Sequence, residues 1–286
     1  MKSSAQNSTL ELEPLQFQFK ELIDWDIWKQ QALPRIEYAA ALGLRSLIQL
    51  QPHNGRAVIV GSSPSIVEHK KQIKGMQFEE GTAIFSVNGA HHWLVKNGII
   101  PNIHVLFEHD LENSEQALGG SPNSDVTYYV CSHCPQNVFD DLAAYKRVVW
   151  HCSSPFEDYQ DAIHKHFPGQ FMVSGGYSTF FRTLTIAMLL GFRQFEIFGC
   201  DSSFTETPYV AGYQQQTKEE TVSVYGVGPD GEAKKFTTIG GLAFQAAEFA
   251  KFCEHHHHEL KIKIHGDGLL NFVHKTRYPE QYIGDI

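Results

Sequence analysis

Ala57-Val58-Ile59-Val60 is a wholly apolar run of strand length, bounded by Gly55 and Gly61. A strand without a polar face must be covered on both sides, and such strands build parallel sheets. Similar runs recur at Ala83–Val87, Ile103–Phe107, Val126–Cys131, Arg147–Trp150, Gln194–Phe198 and Lys261–Ile264. Helical patterns lie between many of them, at Ser65–Lys74, Ala90–Asn97, Gln136–Ala144, Asp158–His166, Tyr177–Leu190 and Leu242–His255. Strands alternating with helices imply an α/β fold on a parallel sheet with right-handed crossovers. The alternation breaks once. Thr221–Gly226 and Glu232–Thr238 flank Gly228-Pro229-Asp230-Gly231, which reads as an inserted hairpin or flap.

Residues 1–14 form a polar tail, and Leu15–Leu50 reads as helical. Trp25, Trp28, Leu33, Ile36, Ala40 and Leu47 fall near helical spacing, with Pro34 opening a second helix. The chain therefore divides into a tail and helical preface, 1–54, and a main domain, 55–286. A length of 286 residues suits one embellished α/β domain, and 20 phenylalanines supply a core. The net charge of −9 argues against a nucleic-acid or anionic-membrane partner, leaving room for a local pocket that takes one phosphorylated ligand. No apolar run approaches the roughly 18 residues of a membrane span, and the N-terminus lacks a signal-peptide layout. Five cysteines are no disulfide framework in a chain this long, so the expected compartment is the cytoplasm, with reduced thiols.

The sharpest local motif is Val58-Ile59-Val60-Gly61-Ser62-Ser63-Pro64-Ser65-Ile66. A buried strand ends at glycine, passes small residues and enters a helix capped by Ser63 ahead of Pro64, or by Ser65 with Glu68 as a capping box. Gly61, Ser62, Ser63, Pro64 and Ser65 thus offer backbone donors to an anion, unless the turn is simply a capped strand–helix connection. Ser174-Gly175-Gly176 precedes another helix, and its glycines permit close backbone approach. Asp201 and Asp110 follow strands, where a carboxylate accepts from ribose or base, holds Mg²⁺, or merely caps a helix. Asn88 ends a strand in the same way. Cys131-Ser132-His133-Cys134 has no second pair at zinc-finger distance and reads as buried thiols, and no metal site is assigned. His255–His258 reads as a solvated helix end.

In order, Val58–Ile66, Ser86-Val87-Asn88-Gly89-Ala90, Asn97–Ile103 leading to Asp110, Ser174–Gly176 and Leu190–Asp201 resemble the DUF115 family. That family includes the MptE-like 6-hydroxymethylpterin diphosphokinases and the core of the motility accessory factors, and its layout is similar to bacterial sialyltransferases using CMP-sialic acid. The resemblance, over about residues 55–272, implies a Rossmann-like nucleotide site. Gly61–Ser65 and Ser174–Gly176 would face phosphate and sugar, Asn88 and Asp201 the ligand's polar groups, and Asp110 the reacting end. It implies a group transferase, foremost a glycosyltransferase taking a CMP-activated nonulosonate, with Glu108, His109 or Asp110 as base. The alternatives are a diphosphokinase moving pyrophosphate from ATP to a pterin-like alcohol, the one case calling for Mg²⁺, and a non-catalytic nucleotide-binding module. The expected partner is a nucleotide or nucleotide sugar, and a homo-oligomer is left open. The family's second loop glycine is Ser63 here, the sialyltransferase histidine after the flap is missing from Thr237–Gly241, and Glu108-His109-Asp110-Leu111 replaces an acidic D-L-D-G stretch.

Overall fold

The computed structural model describes residues 25–108, 118, 122–176, 178–204, 221–228, 231 and 233–282. Eight strands form one parallel sheet: β1 (Arg45–Ser46), β2 (Arg56–Val60), β3 (Thr82–Val87), β4 (Ile103–Leu106), β5 (Thr127–Cys131), β6 (Lys146–Trp150), β7 (Gln194–Phe198) and β10 (Lys261–Ile264). Their order is β1-β6-β5-β4-β3-β2-β7-β10. The wholly apolar run is the interior strand β2, covered on both faces, whereas Lys261–Ile264 is the edge strand β10. Ala57 and Ile59 enter the larger core cluster with Phe85 and Ile197. Val58 and Val60 face the other way, against Ile66, Ile73, Trp93 and Phe198. The period of two thus serves two cores at once.

The helices are α1 (Trp25–Ala41), α2 (Lys70–Met76), α3 (Ala90–Lys96), α4 (Gln136–Asp141), α5 (Glu157–His166), α6 (Thr179–Leu189), α7 (Gly240–His256) and α8 (Leu269–Arg277). The expected hairpin is present as β8 (Thr221–Val227) paired antiparallel with β9 (Ala233–Ile239). No helix among the described residues is long and apolar enough to cross a membrane.

Four elements differ from the expectation. The preface does not stay helical to residue 50: α1 ends at Ala41, and Arg45–Ser46 pairs parallel with Val148–Val149 as an edge strand. Pro34 lies inside α1 instead of opening a helix. Burial of Trp28, Ala32, Ile36 and Ala39 along one stripe outweighs the hydrogen bond that a mid-helix proline forfeits. The helix expected over Ser65–Lys74 is split into a 3₁₀ turn, Pro64–Val67, and α2. Helix α8 was not marked in the sequence at all.

Candidate functional site

The chain leaves β2 towards β3, β4, β5 and β6, then returns to place β7 and β10 on the opposite side of β2. Connections that diverge from neighbouring strands open a crevice at their carboxyl ends, the usual ligand position in such sheets. Here the two strands run into glycines that touch. A Cβ on Gly61 would stand 2.4 Å from the Gly199 carbonyl oxygen, and one on Gly199 would meet Ile66 Cγ2 at 2.0 Å. Gly199 also has φ +63. Gly61 N–H donates to the Phe198 carbonyl at 2.8 Å and Ser63 N–H to the Gly199 carbonyl at 2.9 Å. The missing Cβ of Gly61 therefore makes room for a neighbouring strand end.

Asp201 fills the mouth of the first loop. Ser65 Oγ donates to Asp201 Oδ1 at 2.7 Å, while the Asp201 N–H donates to Ser63 Oγ at 3.3 Å. Ser63 makes no side-chain cap, although Pro64 follows it as expected. Gly266 and Gly268, in the turn from β10 to α8, close over this carboxylate, and a Cβ on Gly268 would lie 2.4 Å from Asp201 O. Burial pushes the Asp201 carboxyl above its ordinary range; the Ser65 bonds oppose this, and the negative Asp267 and Glu68 add to it. Ser202 follows in the left-handed region, at φ 53, held by Gln245 Nε2 at 2.9 Å and by Thr238 Oγ1 on its carbonyl at 2.8 Å. Asn88, at the end of β3, is the other non-glycine with positive φ among the described residues. Its Oδ1 is buried without a hydrogen-bond partner. Asparagine tolerates the left-handed region, whereas serine there is a strained position.

The second loop lies at the start of α6. Gly175 (φ +104) and Gly176 (φ +34) require glycine, and a Cβ on Gly175 would meet Thr185 Oγ1 at 2.6 Å. Ser174 is exposed, and Ser178 caps α6 by accepting from Phe181 N–H at 3.4 Å. Thr179 Oγ1 donates to Glu108 Oε1 at 3.1 Å, which seats the carboxylate ending β4 at the positive end of the helix. His109 and Asp110 lie outside the described residues.

Two charged residues here escaped the sequence reading. Arg182, buried in α6, donates to Ser153 Oγ at 3.2 Å and to the Val173 carbonyl and stands over the Phe107 ring at 5.3 Å, with its Nε unpartnered. Glu248 Oε2, on α7, is buried without a partner, and burial raises its pKa against the pull of Lys251 and Arg182. A lone arginine inside the apolar helix Thr179–Leu189 was the available signal. Glu248 had none, because only the packing of α7 brings it to Gly176. Three strand spacings separate the ends of β4 and β7, about 14 Å at ~4.8 Å each. That span suits a ligand with a polar group at each end.

A parallel α/β sheet covered by helices on both faces, with glycine-lined loops at its switch point, defines a Rossmann-like fold. The model of the 6-hydroxymethylpterin diphosphokinase MptE-like family matches residues 35–207, and the chain belongs to that family. The structure is similar to that of the MAf glycosyltransferase from Magnetospirillum magneticum AMB-1, with TM-score 0.65 and 19% identity. That match covers 84% of this chain and 37% of the other, so the chain spans little more than a third of the larger protein's length. A match to glucose dehydrogenase from Haloferax mediterranei, with TM-score 0.17, 6% identity and coverage of 48% and 46%, carries no argument. No curated protein sequence matches. Membership of that family supports a transferase.

Proposed function

We propose that the chain is a nucleotide-dependent group transferase, with nucleotide lying across the carboxyl ends of β2 and β7 and the reacting end towards β4. Asp201 carries this reading. A buried carboxylate whose charged form is disfavoured, set where the sheet opens and wrapped by two glycine turns, is the kind of group retained for ligand binding. The transferred group on this reading is a sugar of the nonulosonate class from a CMP donor, in keeping with the glycosyltransferase fold. The acceptor hydroxyl oxygen attacks the anomeric carbon, the bond from that carbon to the phosphate oxygen breaks, and CMP leaves with the electron pair. The hydroxyl proton passes to Glu108, His109 or Asp110. The α6 N-terminus offers stabilisation to the departing phosphate.

One observation favours a second reading. Asp201, Asp267 and Glu68 surround the first loop with negative charge, which repels a bare phosphate. Mg²⁺ held by Asp201 and Asp110 would reverse that field and serve transfer of pyrophosphate from ATP to an alcohol, as in the family's diphosphokinases. Incubation with a CMP-nonulosonate or with ATP, each with Mg²⁺ or EDTA, separates the two. Metal-independent CMP release from the sugar donor, lost in Asp110→Asn while nucleotide still binds, is the expected result. AMP release confined to ATP with Mg²⁺ selects the diphosphokinase. Binding without release of either nucleotide leaves a non-catalytic module and overturns both.

A further inference from the structure

Outside this crevice, the carboxyl ends of β5 and β6 gather a different set of side chains. Cys131 closes β5, His133 follows in the next turn, and Cys152 stands two residues beyond Trp150, the register partner of Cys131. All three are buried, and their Sγ, Nδ1 and Sγ atoms lie within 4.8 Å of one another. We infer that Cys131, His133 and Cys152 bind a zinc ion, with the Tyr159 hydroxyl at the fourth vertex.

The tautomer of His133 is the first support. His133 Nε2 lies 2.8 Å from the Phe107 carbonyl oxygen, which can only accept, so Nε2 carries the proton and Nδ1 holds the lone pair. Metal-bound histidines are oriented by such an outer bond. Around that one lone pair stand Cys131 Sγ at 3.5 Å, Cys152 Sγ at 3.4 Å and Tyr159 Oη at 3.0 Å. A cation at their centre, in place of the thiol protons, would take an electron pair from each of the four at once. The sulfur–nitrogen distances agree. Zn–S bonds of ~2.3 Å and Zn–N bonds of ~2.0–2.1 Å at a tetrahedral angle place S and N about 3.5 Å apart.

Charge and packing support the same assignment. Two thiolates neutralise Zn²⁺, so the buried site carries no net charge, and soft sulfur ligands suit this ion. Tyr159 Oη also approaches Cys152 Sγ at 3.1 Å, and its ring stacks on Trp28 at 5.3 Å, which holds the hydroxyl in place. Cys134, although at CxxC spacing from Cys131, is not among the clustered ligands. The ion would brace the ends of β5 and β6 and, through the Phe107 carbonyl, the residue preceding Glu108.

The exposed histidines at the end of α7 are a competing chelator, so the test must read sulfur. Full-length protein, stripped of metal and kept reduced, is titrated with Co²⁺. The inference predicts thiolate-to-cobalt charge-transfer absorption that saturates at a single ion per chain and is displaced by Zn²⁺. Cys131→Ser and Cys152→Ser should abolish the band, and Cys134→Ser should keep it. Co²⁺ bound without a thiolate band, or a band that survives Cys152→Ser, overturns the inference. Recovery of a Cys131–Cys152 disulfide from freshly isolated protein overturns it as well. The wild-type titration decides even where a variant fails to fold.

Discussion

Asp201 shows how a residue can be legible while its partner is not. Its place after an apolar strand marked it in the sequence, and helix capping was one of its readings. Ser65 and Ser63, which bond it, lie 136 and 138 residues away, so no local pattern joined them. The consequence is measurable. The folded-state pKa of Asp201 is raised, because burial disfavours its charged form. Stability from this group is complete at pH below the ordinary value of about 3.9 and is lost as pH rises through the raised folded value. Asp201→Asn keeps an oxygen for Ser65 and removes the penalty. Thermal unfolding should show the variant melting above wild type at pH 7, with the gap closing in acid. A lower melting temperature at pH 7 would mean that the charged form is held well enough to stabilise the fold. Arg182 and Glu248 were harder to find, since their environment exists only once α6, α7 and the Ser153 loop have packed.

Among the elements, β2 was legible because both its faces are apolar, a pattern the chain cannot hide. Strand β1 was not, since two residues carry no periodicity and an amphipathic stripe runs up to them. Helix α1 misled for a related reason: proline usually marks a helix start, but the buried stripe continues past Pro34, which lies on the exposed face. The junction of β2 and β7 has the least tolerance. Gly199→Ala combines a left-handed backbone with a Cβ inside contact distance of Ile66 and the Gly61 carbonyl. Strain and overpacking together should cost about 3 kcal/mol or more, read as a lower urea midpoint at unchanged slope. A variant within about 0.5 kcal/mol of wild type would show that the strands separate easily there. Gly231→Ala serves as a reference, because its φ of +83 brings backbone strain while its Cβ would meet nothing within 4 Å.

Across the whole molecule, a parallel sheet divides its carboxyl edge between two settings. One is the crevice from β4 to β7, where the loops, Asn88, Glu108 and Asp201 gather. The other is the sulfur and imidazole cluster over β5 and β6. Family membership rests on 35–207, while the turn over Asp201 and the helix bearing Glu248 come from residues beyond that stretch. On the function proposed above, the crevice binds a nucleotide. Thermal-shift measurements with CMP, CDP, UDP, GDP and ATP, each with Mg²⁺ and with EDTA, test it most directly. A ligand at a hundredfold excess over its dissociation constant stabilises by about 2.7 kcal/mol, a shift that is easily resolved. The account predicts a clear rise with CMP independent of metal, or with ATP and Mg²⁺ if the diphosphokinase reading holds. No shift with any nucleotide under either condition would contradict it.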